Sequence, residues 1–300
     1  MEEKRTPTRA ELVEIMALLG YQGLSTDAFH PFLSEEDGSE YAVWRVDTGD
    51  HKFVLKRAKG SEIEIYRSFF REKKPYVPAF FGDCEYAGDA YFLTEFCPGE
   101  TLSRCDREKL TKALDALIMM QDEFWERADL YDAAYPFDEA LARVERRGRY
   151  LDSALLERAY AAFSALYRST PRTLCHDDLL PFNLLIGERA VLIDWECGGM
   201  LPYPASLARL LAHGREEEGA FFYLRRDDRD FAIDYYYENL VKKHGVSYAD
   251  YRRTLDFFFF FEYCEWVMVG NRYGNRDDER YTESLRLAEK AARALSEPTP

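Results

Sequence analysis

The sequence lacks the long apolar run, the paired cysteines and the N-terminal apolar segment that mark membrane and secreted proteins. Its most apolar stretch, Phe257 to Phe261, is flanked by charged residues and is far shorter than the roughly 20 residues that span a bilayer, so it predicts a buried helix. The six cysteines include no C-x-x-C pair, and the start from Met1 to Arg9 is charged. We therefore expect reduced thiols and a cytoplasmic protein.

Positive charge is also scarce. The chain has 40 lysines and arginines against 55 aspartates and glutamates, which gives a net charge of −15. Such a surface repels the phosphate backbone of nucleic acids and anionic membranes, so we expect neither as a partner. The same field favours a cationic small molecule or a metal-bound anion as a ligand, although an acidic surface also serves solubility alone.

Hydrophobic periodicity divides the chain into a β-rich part and a helical part. The first part combines an amphipathic helix that ends at Gly20, a hairpin of Tyr41 to Val46 and Lys52 to Arg57, a helical segment from Ser61 to Lys73 and a strand from Tyr91 to Phe96. Beyond Pro98-Gly99 the pattern is helical, with one embedded hairpin. We expect an α+β protein with a small β-rich N-lobe over residues 1–97 and a larger helical C-lobe over residues 98–300.

The stretch from Cys175 to Asn183 carries the strongest signal for chemistry. Its His176, Asp178 and Asn183 form an H-x-D-x-x-x-x-N pattern, and the hairpin behind it returns the chain to Asp194. Carboxylate and amide oxygens are ligands that Mg²⁺ prefers, so Asn183 and Asp194 are candidate metal ligands. Asp178 remains free to take a proton from a hydroxyl, and the pattern matches the catalytic loop of kinase-like folds. The alternative is that these side chains only cap a turn.

A lysine and a carboxylate upstream agree with that loop. Lys56 ends a strand, which is where a kinase fold places the cation that contacts nucleotide phosphates. A carboxylate on the next helix must hold this cation. Glu62 and Glu64 are the candidates, because both lie on the helical segment that follows.

The expected phosphate loop and hinge carry fewer signals. Neither G-x-G-x-x-G nor G-x-x-x-x-G-K-[ST] occurs, which excludes the Rossmann and Walker motifs. Gly38 and Ser39 stand at the phosphate-loop position and can offer backbone N–H groups to a phosphate, although three acidic residues precede them. Glu95 and Cys97 lie at the lobe boundary, where a hinge would present backbone groups to the edge of a nucleotide base.

These residues resemble the aminoglycoside phosphotransferase and choline kinase family of small-molecule kinases. The likeness runs from about Gly38 to Leu211 and rests on Gly38-Ser39 with Val43 to Val46, Val54-Leu55-Lys56, Glu62-x-x-x-Tyr66, Leu93 to Gly99, the loop, and Ile193 to Glu196. The resemblance implies a two-lobed protein-kinase-like fold that uses ATP or GTP with Mg²⁺. It also implies Asp178 as catalytic base, Asn183 and Asp194 as metal ligands, and Lys56 on the nucleotide phosphates, held by Glu62 in preference to Glu64.

The chain departs from this family at two positions. Asp177 stands where the family usually has glycine, and it either adds negative charge near the reacting hydroxyl or faces solvent. Ser206 stands where the family commonly has an aspartate that braces the catalytic loop. Serine can hydrogen-bond to the backbone but carries no charge, so the rigidity of the loop is in question.

The sequence does not specify the acceptor. We expect a hydroxyl on a small cationic molecule such as an aminoglycoside; the alternatives are a choline-type or sugar-type metabolic kinase and a nucleotide-binding pseudoenzyme with a regulatory role. Carboxylates would bind the ammonium groups of an aminoglycoside, and aromatic rings would bind a quaternary ammonium such as choline. The candidates are Asp227, Asp228, Asp230, Asp234, Tyr235 to Glu238, Glu262, Glu265, Trp266 and Asp277 to Glu279. The sequence does not decide between ATP and GTP as the donor, nor does it indicate the oligomeric state.

Overall fold

The sheet-rich part of the molecule comes first in the chain. A computed structural model describes residues 5–33, 38 and 40–296 of the protein. The N-terminal part contains α1 (Arg9–Leu18), β1 (Phe29–Leu33), β2 (Glu40–Asp47), β3 (Lys52–Arg57), α2 (Glu62–Phe69), β4 (Phe80–Tyr86) and β5 (Asp89–Glu95). These five strands form one antiparallel sheet in the order β1-β2-β3-β5-β4.

Helix α1 covers one face of this sheet. Leu12 and Ile15 recur at helical spacing and are buried in one cluster with Phe53 and Leu55 of β3. Side chains alternate along a strand, so Lys56 lies on the opposite face, where it contacts α2. The alternation in β3 therefore separates a core-forming face from the face that carries the candidate site.

The larger C-terminal part is mainly helical. It contains β6 (Glu100–Thr101), α3 (Arg107–Glu123), α4 (Phe137–Gly148), α5 (Ala154–Ser169), β7 (Arg172–His176), β8 (Leu184–Ile186), β9 (Ala190–Leu192), β10 (Gly198–Pro202), α6 (Pro204–Ala212), α7 (Arg226–Asn239), α8 (Tyr248–Tyr273) and α9 (Glu279–Ser296). The apolar run Phe257 to Phe261 lies within α8, mostly buried, as predicted. The α+β class with a sheet-rich first part is confirmed, whereas the division at residue 97 stays a prediction.

The strands of the C-terminal part differ from the prediction of one embedded hairpin. The β8–β9 hairpin is present, but β6 also pairs with β8, and β7 pairs with β10. Strand β7 is buried along nearly its whole length, so its sequence shows no alternation of polar and apolar residues. Strand β10 begins with Gly198-Gly199, a dipeptide that reads as a turn in the sequence.

Two strands and one helix end in the N-terminal part were also missed by the sequence patterns. Strand β1 contains Pro31, and β4 contains Gly82 at an irregularity of its pairing with β5, so both resemble loops in sequence. Helix α2 ends at Phe69 rather than Lys73: Phe70 leaves the helical conformation, with a φ of −122°, and its ring lies in the core.

No helix in the described parts of the chain is both long enough and apolar enough to cross a membrane. All six cysteines are free thiols.

We expect Phe163→Ala to destabilise the protein by about 3–5 kcal/mol, because it removes a fully buried ring from the centre of the helical core. The ring of Phe163 lies 4.8 Å from that of Phe261 and 5.2 Å from that of Phe258, between centroids. Thermal unfolding measures the effect. Phe221→Ala is the matched control, since Phe221 is 56% exposed and should shift the melting temperature little. Equal shifts for both variants would contradict this account of the core.

Candidate active site

The loop between β7 and β8 carries Asp178 and Asn183. The side-chain amide of Asn183 donates to the backbone oxygen of Asp178 at 2.8 Å, and Asn183 is only 3% exposed. The backbone oxygen of Asn183 accepts a hydrogen bond from Ile193 at 3.0 Å, which brings the loop next to the residue that precedes Asp194. Asp178, Asn183 and Asp194 therefore lie in one region, although they come from different segments.

His176 fastens the start of the loop. Its Nε2 lies 2.8 Å from the backbone oxygen of Ile193, and its ring centroid lies 4.6 Å from that of Trp195. A carbonyl oxygen only accepts, so Nε2 carries the hydrogen. Burial lowers the pKa of His176, and its Nδ1 has no hydrogen-bond partner among the described residues. The neutral imidazole therefore has a structural role: it connects the start of the loop to the backbone of Ile193.

Ser206 braces the same loop without a charge. Its Oγ accepts a hydrogen bond from the backbone N–H of His176 at 2.9 Å and lies 3.3 Å from the backbone oxygen of that residue, to which it donates. Ser206 is fully buried on α6. The replacement of the family's aspartate therefore leaves two backbone hydrogen bonds to the loop, so the structure does not show the loss of support that the sequence suggested.

Lys56 joins the sheet to the loop region. Its Nζ donates to Oε1 of Glu62 at 2.6 Å and also forms an ion pair with Asp194. Glu62 is 1% exposed and accepts a second hydrogen bond from the backbone N–H of Lys59 at 3.2 Å. Glu64 is exposed instead. Of the two glutamates, Glu62 is the one that contacts Lys56.

Burial and opposite charges act against each other in this group. Burial tends to lower the pKa of Lys56, but the carboxylates of Glu62 and Asp194 outweigh it and raise that pKa. Burial raises the pKa of Glu62, and the Lys56 ammonium offsets only part of this effect. For Asp194 the ammonium outweighs burial and lowers the pKa. Lys56 therefore stays protonated and positively charged in this group.

Asp194 also has an unusual backbone conformation. Its φ of 66° lies in the left-handed region, which costs a residue with a side chain on the order of 1–3 kcal/mol. Such strain persists where the surrounding structure enforces it, and it is common at functional sites. The hydrogen bond of the preceding residue, Ile193, to Asn183 and the ion pair with Lys56 are the constraints here.

The hinge side chains are occupied by an arginine that the sequence patterns missed. Arg189, in the β8–β9 turn, donates to the carboxylate of Glu95 at 2.7 Å and lies 3.8 Å from the sulfur of Cys97. It also donates to the backbone oxygens of Lys74 and Pro75. The backbone N–H and C=O of Cys97 have no hydrogen-bond partner within residues 5–33, 38 and 40–296. The backbone of Cys97 is therefore the group of the predicted hinge that is open to a ligand in the described structure, as the sequence analysis expected.

The predicted phosphate loop is described only at Gly38. That glycine has a φ of 70°, and the space where a Cβ would lie is open to 4 Å. Ser39 lies outside the described residues. The structure therefore does not connect this loop with the Lys56 group.

A cavity of about 500 Å³ adjoins the predicted hinge and includes Glu95 in its lining. It is lined by Asp50, His51, Lys52, Phe53, Lys73, Phe81, Glu95, Phe96 and Pro98. Phe53 belongs to the sheet face that packs on α1, whereas Lys52 shares the face of Lys56. The lining includes none of Lys56, Glu62, Asp178, Asn183 and Asp194.

Arginines also occupy the carboxylates around the catalytic loop. Asp177 forms an ion pair with Arg143 of α4, so it neither faces solvent freely nor stands as an unpaired charge. Arg209 of α6 binds Asp178 and also pairs with Glu262 and Glu265 of α8. No sequence pattern indicates these arginines, because each partner lies at least 31 residues away in the chain.

Two of the candidate acceptor contacts on α7 prove to be structural. Asp228 is fully buried between Arg107 and Arg225, with Nε to carboxylate distances of 2.5 and 2.6 Å. Tyr236 is also fully buried and donates to Gln121. Neither side chain is accessible to an acceptor, so these two residues are no longer candidates for acceptor contact.

We expect Lys56→Met to destabilise the protein by about 3–5 kcal/mol, because it leaves the buried Glu62 unpaired. The pKa of the unpaired Glu62 lies above its unfolded value, so folding takes up a proton and stability falls as pH rises above about 4.5. Thermal unfolding should show a larger loss at pH 8 than at pH 5. Adding Glu62→Gln should remove most of this pH dependence. Lys52→Met, exposed on the same strand, is the control; an equal effect there would refute the assignment.

Known structures share this fold at low sequence identity. A thermostable variant of aminoglycoside phosphotransferase APH(4)-Ia, in a ternary complex with ADP and hygromycin B, has a TM-score of 0.57 at 15% identity over 90% of this chain and 95% of that chain. Aminoglycoside phosphotransferase APH(3'')-Id from Streptomyces rimosus, bound to ADP and streptomycin, has a TM-score of 0.54 at 16% identity over 84% and 97%. A choline/ethanolamine kinase family protein from Mesorhizobium loti has a TM-score of 0.55 at 17% identity over 97% of this chain and 94% of that chain. The predicted kinase-like fold is confirmed.

Sequence comparisons give the family. A search of curated proteins finds no significant match. The model of the phosphotransferase enzyme family, by contrast, matches residues 35–239, which include Lys56, Asp178, Asn183 and Asp194. Because this match covers well over half of the 300 residues, the chain belongs to the phosphotransferase enzyme family and is a small-molecule kinase.

Proposed function

We propose that the protein transfers the γ-phosphoryl group of ATP to a hydroxyl of a small cationic acceptor such as an aminoglycoside. The observation that carries the proposal is the contact of Lys56 with both Glu62 and Asp194, next to the loop of Asp178 and Asn183. GTP is the alternative donor. The relatives that bind hygromycin B and streptomycin, and the net charge of −15, support a cationic acceptor.

Each lobe has a separate task in this proposal. Residues 1–97 bind the nucleotide: Lys56, held by Glu62, contacts its phosphates, and the hinge at Glu95 to Cys97 meets the edge of its base. Residues 98–300 supply the catalytic loop and the acceptor site. The backbone of Gly38 and Ser39 is assigned to the phosphates as well.

The free oxygens of the site fit a Mg²⁺ ion. Asn183 uses its amide N–H in a hydrogen bond to Asp178, which leaves Oδ1 without a donor among the described residues. Asp194 contacts Lys56 through Oδ1 and keeps Oδ2. One neutral and one anionic oxygen suit a hard divalent cation that shares phosphate oxygens of the nucleotide. Bound there, Mg²⁺ would neutralise negative charge on those phosphates.

The chemical step assigned to the chain itself is proton acceptance by Asp178. The acceptor oxygen attacks the γ-phosphorus, the bond to the β,γ-bridging oxygen breaks, and the hydroxyl proton goes to the Asp178 carboxylate as the nucleoside diphosphate leaves. Lys56 orients the phosphates and balances their charge. Asn183 and Ser206 hold the loop so that the carboxylate stays in reach.

A neutral acceptor, such as that of a sugar-type kinase, is the second candidate. The observation in its favour is that Glu262 and Glu265, which would bind ammonium groups, are already paired with Arg209 and Arg147. A panel of hygromycin B, streptomycin, choline, ethanolamine and neutral sugars, with release of ADP or GDP as the readout, distinguishes the two. Turnover with sugars alone would exclude the cationic acceptor.

We expect ATP with Mg²⁺ to stabilise the protein by about 2.7 kcal/mol at a concentration a hundredfold above the dissociation constant. Asp194→Ala should abolish the part of the thermal shift that depends on Mg²⁺, because it removes the anionic ligand. Asp129→Ala, which changes an exposed surface ion pair, is the control and should keep that part. An unchanged Mg²⁺ increment in Asp194→Ala would remove this residue from the metal site.

We expect Asp178→Asn to lower kcat by roughly 10² to 10⁴, because asparagine keeps the size of the side chain but cannot accept the proton. Nucleotide affinity should change by less than about tenfold, or 1.4 kcal/mol, since binding is assigned to other residues. Steady-state kinetics and nucleotide titration measure the two. Asp129→Asn, an exposed aspartate also paired with an arginine, should leave kcat unchanged. A near wild-type kcat in Asp178→Asn would end the assignment.

A further inference from the structure

Arg209 lies between the candidate base and helix α8. Its Nε and Nη2 donate to the same oxygen of Asp178, Oδ1, at 3.1 and 2.8 Å. Its Nη1 donates to Oε2 of Glu262 at 3.0 Å and also contacts Glu265. The side chain is only 16% exposed. One guanidinium therefore contacts three carboxylates, one of which is the group assigned to proton transfer.

The contact with Asp178 is one-sided. Both donors of Arg209 meet Oδ1, while Oδ2 receives no hydrogen bond from the part of the chain that the structure describes. A carboxylate held by one oxygen keeps the lone pairs of the other for an incoming proton. The geometry therefore selects Oδ2 as the proton acceptor and fixes the plane in which it lies.

The other side of Arg209 is held from α8 and α4. Glu262 is 7% exposed and has His213 at 3.6 Å, while Glu265 also accepts from Arg147 at 2.7 Å. Burial tends to lower the pKa of Arg209, but Glu262, Glu265 and Asp178 outweigh it and raise that pKa, so the guanidinium stays charged. A guanidinium held by its partners at this many points cannot rotate away from Asp178 without breaking contacts on both sides.

We propose that Arg209 is the positioning residue of the catalytic carboxylate: it fixes Asp178 through Oδ1, presents Oδ2 to the acceptor hydroxyl, and takes its own orientation from Glu262 and Glu265. This inference rests on the proposed role of Asp178 as the base. It goes beyond that role because it assigns the geometry of the base to helix α8, far from the loop in sequence.

The primary test compares Arg209→Lys and Arg209→Gln with the wild type. Hydrolysis of ATP with Mg²⁺ and transfer to the best acceptor of the panel are both measured. A misplaced base should lower kcat about 10²-fold while the KM for ATP changes less than about threefold, since misplacement acts on the chemical step. Arg229→Gln is the matched control: Arg229 also contacts α8, through Tyr263, and should keep kcat within twofold.

Rescue by a small cation separates positioning from a general structural effect. Guanidinium at about 20 mM, far below denaturing concentrations, should restore kcat of Arg209→Gln at least about fivefold, whereas tetramethylammonium at equal ionic strength should not. Wild type and Arg229→Gln should not respond. Absence of rescue, together with a kcat within threefold of wild type in Arg209→Lys, overturns the proposal.

Loss of Arg209 leaves three carboxylates without their shared cation, so the variants are checked for folding by thermal unfolding. If they do not fold, Glu262→Gln and Glu265→Gln serve instead, because they keep the Arg209 contact with Asp178 but release its other side. Each should lower kcat about tenfold at an unchanged KM for ATP. Wild-type kcat in both refutes the proposal. If Asp178→Asn retains kcat, the proposed function fails instead, and the two failures are distinguishable.

Discussion

The contact of Lys56 with Glu62 and Asp194 is the constraint on which the site depends. Lys56 comes from the sheet, Glu62 from α2, and Asp194 follows β9, 138 residues after Lys56. Three segments must therefore be placed together before the group exists. A buried ion pair adds little stability compared with apolar side chains of equal size, because removing charges from water is costly. Stability alone does not explain this group, and the role that we propose for it is contact with the nucleotide phosphates.

Arginines pair with the other carboxylates around the site, as Lys56 does with Glu62 and Asp194. Arg143 pairs with Asp177, Arg209 with Asp178, and Arg189 with Glu95 at the hinge. A guanidinium suits these positions because its planar set of five donors can serve several acceptors in fixed directions. Arg189 bonds to the hinge and to the segment before β4 at once, so it connects the β8–β9 turn with the sheet-rich part. Ion pairs therefore surround the candidate active site.

The sequence predicts residues that belong to a local spacing pattern or a strand motif, and it misses partners that belong to neither. His176, Asp178 and Asn183 were found because their spacing is local, and Lys56 because it ends an alternating strand. Arg209 follows Asp178 by 31 residues on a buried helix and belongs to no spacing pattern. Strands β7 and β10 were not predicted for a related reason: both are buried, so their sequences lack the alternation of polar and apolar residues. Their pairing with each other, and the contact of Arg209 with Asp178, depend on segments that are distant in the chain.

These paired charges change what the net charge of −15 implies. Salt screens exposed charges beyond a Debye length of about 8–10 Å, so distant acidic residues act weakly on a ligand inside the cleft. Within it, Lys56 and Arg209 stand beside Asp194 and Asp178, and buried pairs are screened much less. These paired groups carry no net positive charge, because Lys56 has two carboxylate partners and Arg209 has three, so in the proposed function the charge of the nucleotide is balanced by Lys56 together with a bound Mg²⁺. The global charge bears on an acceptor only while it approaches, and selection among acceptors is left to the groups that line the site.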